Sequence, residues 1–126
     1  VLVIDAFSGD AIPVHLLTRE AVMLYLQRLK PGGVIALHVS NTHLALAPVV
    51  GRIAAELGLQ AAFIADPGVE GDPSTSVSDW VLLADERSVL DLPLIREATT
   101  PLPQGVASSE KVFGRRINVS WLSAVK

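Results

Sequence analysis

Two aspartates near the start of the chain have the residue types and spacing best suited to chemistry. Asp5 ends the apolar run 1–4, and Asp10 follows five residues later in a loop that contains Gly9. Two carboxylates on such a loop could clamp a cationic amine, and one of them could accept its proton. The alternative is structural: Asp5 accepts N–H bonds from the loop, and Asp10 caps a turn. Spacing alone leaves both interpretations open.

Histidines form a second group of candidates. His38 follows another apolar run, His43 lies five residues further on, and Asp66 would be a third ligand if a metal ion were bound. No spacing among the three is diagnostic of a metal site, so we predict structural or surface roles and no metal. His15 precedes a helix and either lines the entrance of a pocket or has a packing or solvent role.

A serine nucleophile and stacking tryptophans are less favoured. Ser8 lacks the glycine two residues before it that a nucleophile elbow requires. Trp80 and Trp121 are expected to anchor the core rather than to stack on a ligand.

The composition excludes several classes of function. The net charge of the 126 residues is −3, which argues against a basic surface for nucleic acid. We interpret its most basic patch, Lys111 with Arg115 and Arg116, as a solvated turn. No apolar run reaches the roughly 18 residues that span a bilayer, and we expect no signal peptide, because the chain opens on an apolar strand pattern. The chain has no cysteine, which excludes disulfides and thiolate sites and is compatible with a cytoplasmic location.

Alternating strands and helices must position the candidate residues. Apolar runs predict four strands and helical periodicity predicts two helices, in the order strand 1–7, helix 18–30, strand 34–39, helix 46–57, strand 61–65 and strand 80–84. Thr18 is the expected N-cap of the first helix. Pro31-Gly32-Gly33 ends that helix, and Gly58 lies just past the second. Residues 90–98 suggest a further short helix, and residues 112–126 a docked tail.

This order predicts an α/β fold. No helix separates the last two strands, so they should pair antiparallel, whereas the earlier strands should run parallel. Parallel strands that end in an antiparallel hairpin are typical of the C-terminal half of a methyltransferase-type Rossmann-like fold. We therefore expect residues 1–126 to form a single partial domain that starts in the middle of the parent fold. Ligands of such sheets bind outside the carboxyl ends of the strands, where Asp5, His38 and Asp66 lie.

The first forty residues resemble the spermidine synthase family of polyamine aminopropyltransferases. The resemblance lies in the strand and loop Val3-Ile4-Asp5-Ala6-Phe7-Ser8-Gly9-Asp10-Ala11-Ile12-Pro13, in Leu17-Thr18-Arg19-Glu20, and in Leu29-Lys30-Pro31-Gly32-Gly33-Val34. The segment 79–84 is similar to the last hairpin of many bacterial relatives. Members of that family move an aminopropyl group from decarboxylated S-adenosylmethionine, a cosubstrate rather than a tightly bound cofactor, to a diamine such as putrescine.

The resemblance implies a role for four residues. Asp5 matches the catalytic aspartate, which takes the proton from the attacking amine. Asp10 matches the second, diamine-holding aspartate at a longer spacing, and a gapless alignment places Ser8 there instead. Pro13 matches the proline beside the nucleoside product.

Two departures from the family pattern limit what the resemblance implies. The loop 66–79 contains no aromatic residue, although the family carries a tyrosine before its last strand. The glycine-rich loop and the ribose-binding acid belong to the other half of the fold, so we expect the fragment alone to be inactive.

Two other functions stay open. An S-adenosylmethionine-dependent methyltransferase shares this half of the fold. A non-catalytic, dimerising scaffold is the third candidate, because the strand at residues 1–4 would expose unpaired N–H and C=O groups that invite another chain. We therefore expect a homo-oligomer, and we expect no nucleic-acid partner and no transmembrane segment in this chain.

Overall fold

The computed structural model describes residues 1–6, 12–41 and 44–103. Within these ranges the chain is an α/β structure with a five-stranded, mixed, open sheet. In chain order the elements are β1 (Leu2–Ile4), a 3-10 helix (Val14–Leu17), α1 (Arg19–Arg28), β2 (Ile35–His38), α2 (Leu46–Glu56), β3 (Gln60–Asp66), β4 (Ser78–Ala84), α3 (Arg87–Leu90), α4 (Pro93–Ala98) and β5 (Thr99–Thr100).

The strands are ordered β1-β2-β4-β3-β5 across the sheet. β1 pairs parallel with β2, and the other three pairs are antiparallel. Because β4 runs antiparallel to both of its neighbours, β1, β2 and β3 all point the same way. Their last residues therefore lie at one edge of the sheet, together with the start of β4. We call this the carboxyl edge, and the opposite one the amino edge.

Aliphatic side chains from the two central strands form the core. In β2, Ile35 and Leu37 are fully buried, and Val81 and Leu83 of β4 lie opposite them. These side chains pack in one cluster with Val22 of α1 and with α2, whereas α3 contributes Leu90 to a second cluster that includes Ala62 of β3 and Ala84 of β4. Helices thus cover both faces of the sheet. Each fully buried aliphatic side chain contributes about 1.5–3 kcal/mol relative to exposure.

Local signals set the ends of α1. The Thr18 hydroxyl oxygen accepts the N–H of Ala21 at 3.1 Å and caps the helix as predicted. The Tyr25 hydroxyl donates to the carbonyl of Leu16 at 3.0 Å, which fastens α1 to the 3-10 helix. Burial raises the pKa of Tyr25 above its ordinary value. After the helix, Gly32 adopts a φ of 71°, a left-handed conformation that side chains disfavour.

The boundaries of α2 and of the hairpin also agree with prediction. α2 has Pro48 in its first turn and ends beside Gly58, which has a φ of 69°. The pair β3 and β4 is antiparallel, as the missing helix between them indicated. Of the helices in the described ranges, none is long and apolar enough to cross a membrane.

The structure corrects several expected boundaries. The first strand is only Leu2–Ile4, since residues 5 and 6 have already left the sheet. The sequence did not indicate the 3-10 helix or β5. The helix expected over 90–98 begins only at Pro93, which restricts Leu92 to extended backbone, and Leu90 instead ends the separate short helix α3. The predicted tail at 112–126 lies outside the described residues.

Candidate functional site at the carboxyl edge

Asp5 is placed at the carboxyl edge by the parallel pairing of the first two strands. Ile4 of β1 is in register with Leu37 of β2, so the next residues, Asp5 and His38, leave the pair side by side. The Oδ1 atom of Asp5 lies 2.7 Å from Nδ1 of His38. The Asp5 side chain is 52% exposed, whereas that of His38 is 19% exposed. A carboxylate open to solvent is therefore joined to a mostly covered imidazole.

The second ring nitrogen of His38 continues the hydrogen-bond chain. Nε2 lies 2.9 Å from the hydroxyl oxygen of Ser40, and that oxygen accepts the N–H of Asp79 at 2.6 Å. An ionised carboxylate only accepts hydrogen bonds, so the Nδ1 atom facing Asp5 carries a proton. In the neutral ring Nε2 then accepts the Ser40 hydroxyl. This series of hydrogen bonds links the ends of β1 and β2 to the start of β4.

Trp80 fixes the plane of the same ring. It is in register with His38 across the β2–β4 pair, and the two rings stack with centroids 4.6 Å apart and planes 12° from parallel. Backbone pairing continues past the strand, because the N–H of Val39 donates to the carbonyl of Asp79 at 2.8 Å. Trp80 was expected to be a core anchor. It is half-buried and packs on the imidazole.

The loop between β3 and β4 is held by its own side chains. Asp66 accepts the N–H of Gly68 at 2.9 Å, and Asp72 accepts both the hydroxyl and the N–H of Ser74. These two hydrogen bonds from Ser74 lower the pKa of Asp72 below its ordinary value. In residues 1–6, 12–41 and 44–103, no three histidine or acidic side chains come together as metal ligands. Asp66 shapes a turn there.

Pro13 and His15 lie in the segment that returns from the carboxyl edge to α1. Pro13 precedes the 3-10 helix, and its carbonyl accepts the N–H of Leu16 at 2.9 Å. It is half-buried next to Ile12, which is almost fully buried. The His15 side chain is exposed. Pro13 thus holds the start of the 3-10 helix and His15 faces solvent, and neither is linked by a described hydrogen bond to Asp5.

The structure joins only some of the residues singled out from the sequence. Asp5 and His38 meet directly, although they lie 33 residues apart in the chain. Sequence reasoning assigned no joint role to this pair and did not consider Ser40. A usable signal was present: His38 and Ser40 are two residues apart at a strand end, so both side chains point to the same side if the extended backbone continues. Four other candidates, Ser8, Asp10, His43 and Trp121, lie outside the described residues.

The order Asp5, His38, Ser40 is that of acid, base and nucleophile in hydrolytic triads. The Ser40 oxygen, however, accepts the short N–H bond from Asp79. That bond occupies one of the two lone pairs of the hydroxyl oxygen and ties Ser40 to β4. The geometry therefore makes Ser40 an anchor for the imidazole, and it leaves the half-exposed Asp5 carboxylate as the group able to meet a substrate.

Comparisons with known proteins assign no family to this site. No protein-family model matches the chain, and neither the search of curated proteins nor that of solved structures found a match. The chemistry of the carboxyl edge thus has to be inferred from its own atoms.

Proposed function

We propose that this chain provides the acceptor side of an aminopropyltransferase. The reaction moves an aminopropyl group from decarboxylated S-adenosylmethionine to a diamine such as putrescine. One observation carries the proposal: the Asp5 carboxylate is half-exposed at the carboxyl edge and is fastened by His38 at 2.7 Å. Such a carboxylate can bind a cationic amine and accept its proton.

The strand order supports this assignment. β1, β2 and β3 point the same way, and the reversed β4 lies between β2 and β3. This arrangement is compatible with the C-terminal half of a methyltransferase-type Rossmann-like sheet. In open α/β sheets, ligands bind beyond the carboxyl ends of the strands, which is where Asp5 lies.

Further carboxylates at the carboxyl edge favour a cationic acceptor. β3 ends in Asp66, and Asp79 is the second residue of β4, so both belong to the carboxyl edge. Carboxylates at one edge attract a diamine and repel anions, an effect that salt screens. An S-adenosylmethionine-dependent methyltransferase is the runner-up, because the strand order alone does not distinguish the two donors.

In this reaction each residue implied by the family resemblance has one proposed role. The acceptor nitrogen attacks the aminopropyl carbon next to the sulfonium, an N–C bond forms, and the C–S bond breaks with its electron pair going to sulfur. The proton released from nitrogen goes to Asp5. Asp10 is proposed to hold the diamine, with Ser8 as the alternative at that place, and Pro13 to lie beside the nucleoside product.

A product assay tests the proposal. The protein expressed from its natural reading frame is incubated with putrescine and decarboxylated S-adenosylmethionine, and spermidine and methylthioadenosine are measured by mass spectrometry. A parallel reaction contains S-adenosylmethionine instead. Spermidine and methylthioadenosine in equal amounts, from the reaction with decarboxylated S-adenosylmethionine, support the proposal. A methylated amine in the parallel reaction alone supports the methyltransferase, and no product from either donor refutes both.

The exposed strand β1 favours a second candidate, a dimerising scaffold. On the side away from β2, β1 meets no other strand among the described residues. An edge of this kind pairs readily with another chain. If a homo-oligomer forms through β1, Val3→Lys should shift the mass measured by light scattering toward the monomer. An oligomer whose mass is unchanged by Val3→Lys would exclude β1 as the contact between the copies.

A further inference from the structure

We propose that His38 is a positioning residue for Asp5 in the transfer reaction. Its Nδ1–H holds one carboxylate oxygen of Asp5 and directs the other toward the acceptor amine. This inference rests on the proposed function, and it adds a residue that the resemblance does not assign to the reaction.

The imidazole is held on three sides. Asp5 lies 2.7 Å from Nδ1, the Ser40 oxygen lies 2.9 Å from Nε2, and Trp80 stacks on one face. The Asp79 N–H in turn holds Ser40, at 2.6 Å. A ring held at both nitrogens and across its plane has little rotational freedom, so it can serve as a fixed support.

Asp5 needs such a support because it lies beyond the last paired residue of β1. The parallel pairing with β2 ends at Ile4, and the Asp5 side chain is more than half-exposed. An unsupported carboxylate at this place could adopt several rotamers. Misplacing a reacting group by about 1 Å can cost about 100-fold in rate. The His38 hydrogen bond selects one arrangement.

The proton remains on His38 throughout the transfer. Nitrogen attacks carbon, the C–S bond breaks, and sulfur becomes a neutral thioether. The proton released by nitrogen goes to the Asp5 oxygen that His38 does not hold. Nδ1 already carries a proton, so His38 acts through Asp5 and takes up no proton itself.

Two substitutions separate this role from simple packing. In H38N the side-chain amide nitrogen can occupy the place of Nδ1, which preserves the donor to Asp5. In H38Q the amide reaches the place of Nε2, which preserves the contact with Ser40 and loses the one with Asp5. We expect kcat of H38Q to fall about 10- to 100-fold, with a smaller change in the KM for putrescine because the carboxylate charge remains. H38N should keep kcat about tenfold above that of H38Q.

Nuclear magnetic resonance gives a readout that does not depend on turnover. In the 15N-histidine-labelled protein, the neutral His38 ring should show a protonated Nδ1 and an unprotonated, downfield-shifted Nε2. Asp5→Asn should shift the Nδ1 proton resonance, because the acceptor changes from a carboxylate to an amide. Circular dichroism and thermal unfolding establish that every variant is folded.

The outcomes distinguish the two claims. A wild-type protein that makes no spermidine refutes the proposed function, and with it the role of His38. An active wild type in which H38N and H38Q lose the same activity, or none, refutes only the positioning role. A proton on Nε2 instead of Nδ1 likewise overturns that role while the transfer reaction stands.

Discussion

The two edges of the sheet are built by different kinds of contact. At the carboxyl edge, side-chain hydrogen bonds join residues far apart in the chain: Asp5 to His38 across 33 residues, and Ser40 to Asp79 across 39. At the amino edge, a shallow cleft of about 300 Å³ is lined by Leu26, Leu29, Lys30, Pro31, Leu59 and Asp85. The described ion pairs on the helices toward this edge, Arg52–Glu56 and Arg87–Asp91, link residues four apart in one helix.

This difference distinguishes the candidate site at the carboxyl edge from the turns at the amino edge. Gly32 and Gly58 let the backbone reverse at the amino edge in left-handed conformations, with no long-range side-chain bond required. Exposed pairs within one helix contribute only about 0.3–0.5 kcal/mol each. The carboxyl edge instead immobilises a half-exposed carboxylate through three strands. Substitutions there should change the chemistry, and those at the amino edge should change only stability.

The largest expected effect is that of Asp5→Asn. The amide is nearly isosteric but cannot accept the proton, so transfer should fall by about 10²–10⁴-fold with little change in the unfolding midpoint. The apparent affinity for putrescine should weaken too, since a negative charge is lost. Asp10→Asn should mainly weaken that affinity. Steady-state kinetics separates the effects on kcat and KM.

Asp85→Asn is the matched control for Asp5→Asn. Asp85 directly follows β4 and is exposed at the amino edge. Its substitution should leave both kinetic constants near the wild-type values. If the Asp10→Asn variant is inactive and the Asp5→Asn variant is fully active, Asp10 and not Asp5 is the residue that accepts the proton.

Ser40→Ala should reduce stability and loosen the site together. It removes the partner of both His38 Nε2 and the Asp79 N–H, and because both groups are only partly buried, the loss should be about 1 kcal/mol, near the lower end of the cost of an unpaired polar group. Urea denaturation followed by circular dichroism measures the loss. The control is Ser88→Ala, since Ser88 donates only to exposed Glu86. Equal stability of the two variants would show that the hydrogen bonds of Ser40 with His38 and Asp79 contribute nothing to the free energy of unfolding.

Gly58→Ala should cost about 1–2 kcal/mol through backbone strain alone. A Cβ at this glycine would meet no atom within 4 Å, so the positive φ is the sole penalty. Gly58→Asn should cost less, because asparagine tolerates the left-handed region. Thermal unfolding measures both variants. Transfer kinetics should not change, and a loss of activity with a wild-type midpoint would break the contrast between the edges.

The smallest effect concerns pH and Asp72 in the β3–β4 loop. The hydrogen bonds from Ser74 lower its folded-state pKa below the ordinary value of 3.8. A carboxyl group with a lowered pKa stabilises the fold above its unfolded-state pKa and loses that contribution as the pH falls through the folded-state pKa. The stability difference between wild type and Asp72→Ala should therefore be constant at neutral pH and shrink below about pH 4. A difference that grows on acidification would contradict the assignment.

Much of the fold could be predicted because its signals are local. Thr18 caps α1 with a hydroxyl three residues from its donor, and Gly58 ends α2 through its own backbone freedom. The apolar runs gave the central strands, and the missing helix gave the antiparallel hairpin. Pro93 shows the limit of such reasoning, since α4 begins there, three residues after the expected start of the helix over 90–98.

The site could be predicted only in part. Asp5 was found because it directly follows an apolar strand, at the end where ligands of such sheets bind, and because its surroundings resemble a family motif. His38 was assigned a structural or surface role, because nothing near it in the chain shows which side chain it meets. Its partner Asp5 directly follows β1 and its partner Trp80 lies in β4, so their placement depends on the pairing of those strands with β2.

The sequence by itself determined strands β1 to β4, the two main helices, the Thr18 cap of α1, the glycines past both helices and the candidate carboxylate. Each of these depends on side chains within a few residues, or on the conformational freedom of one backbone position. Only the tertiary structure decided that β4 lies between β2 and β3 and that Asp5 meets His38. Strand order depends on which apolar faces bury best together, and hydrogen bonds between distant residues form only once that packing has brought their strands side by side.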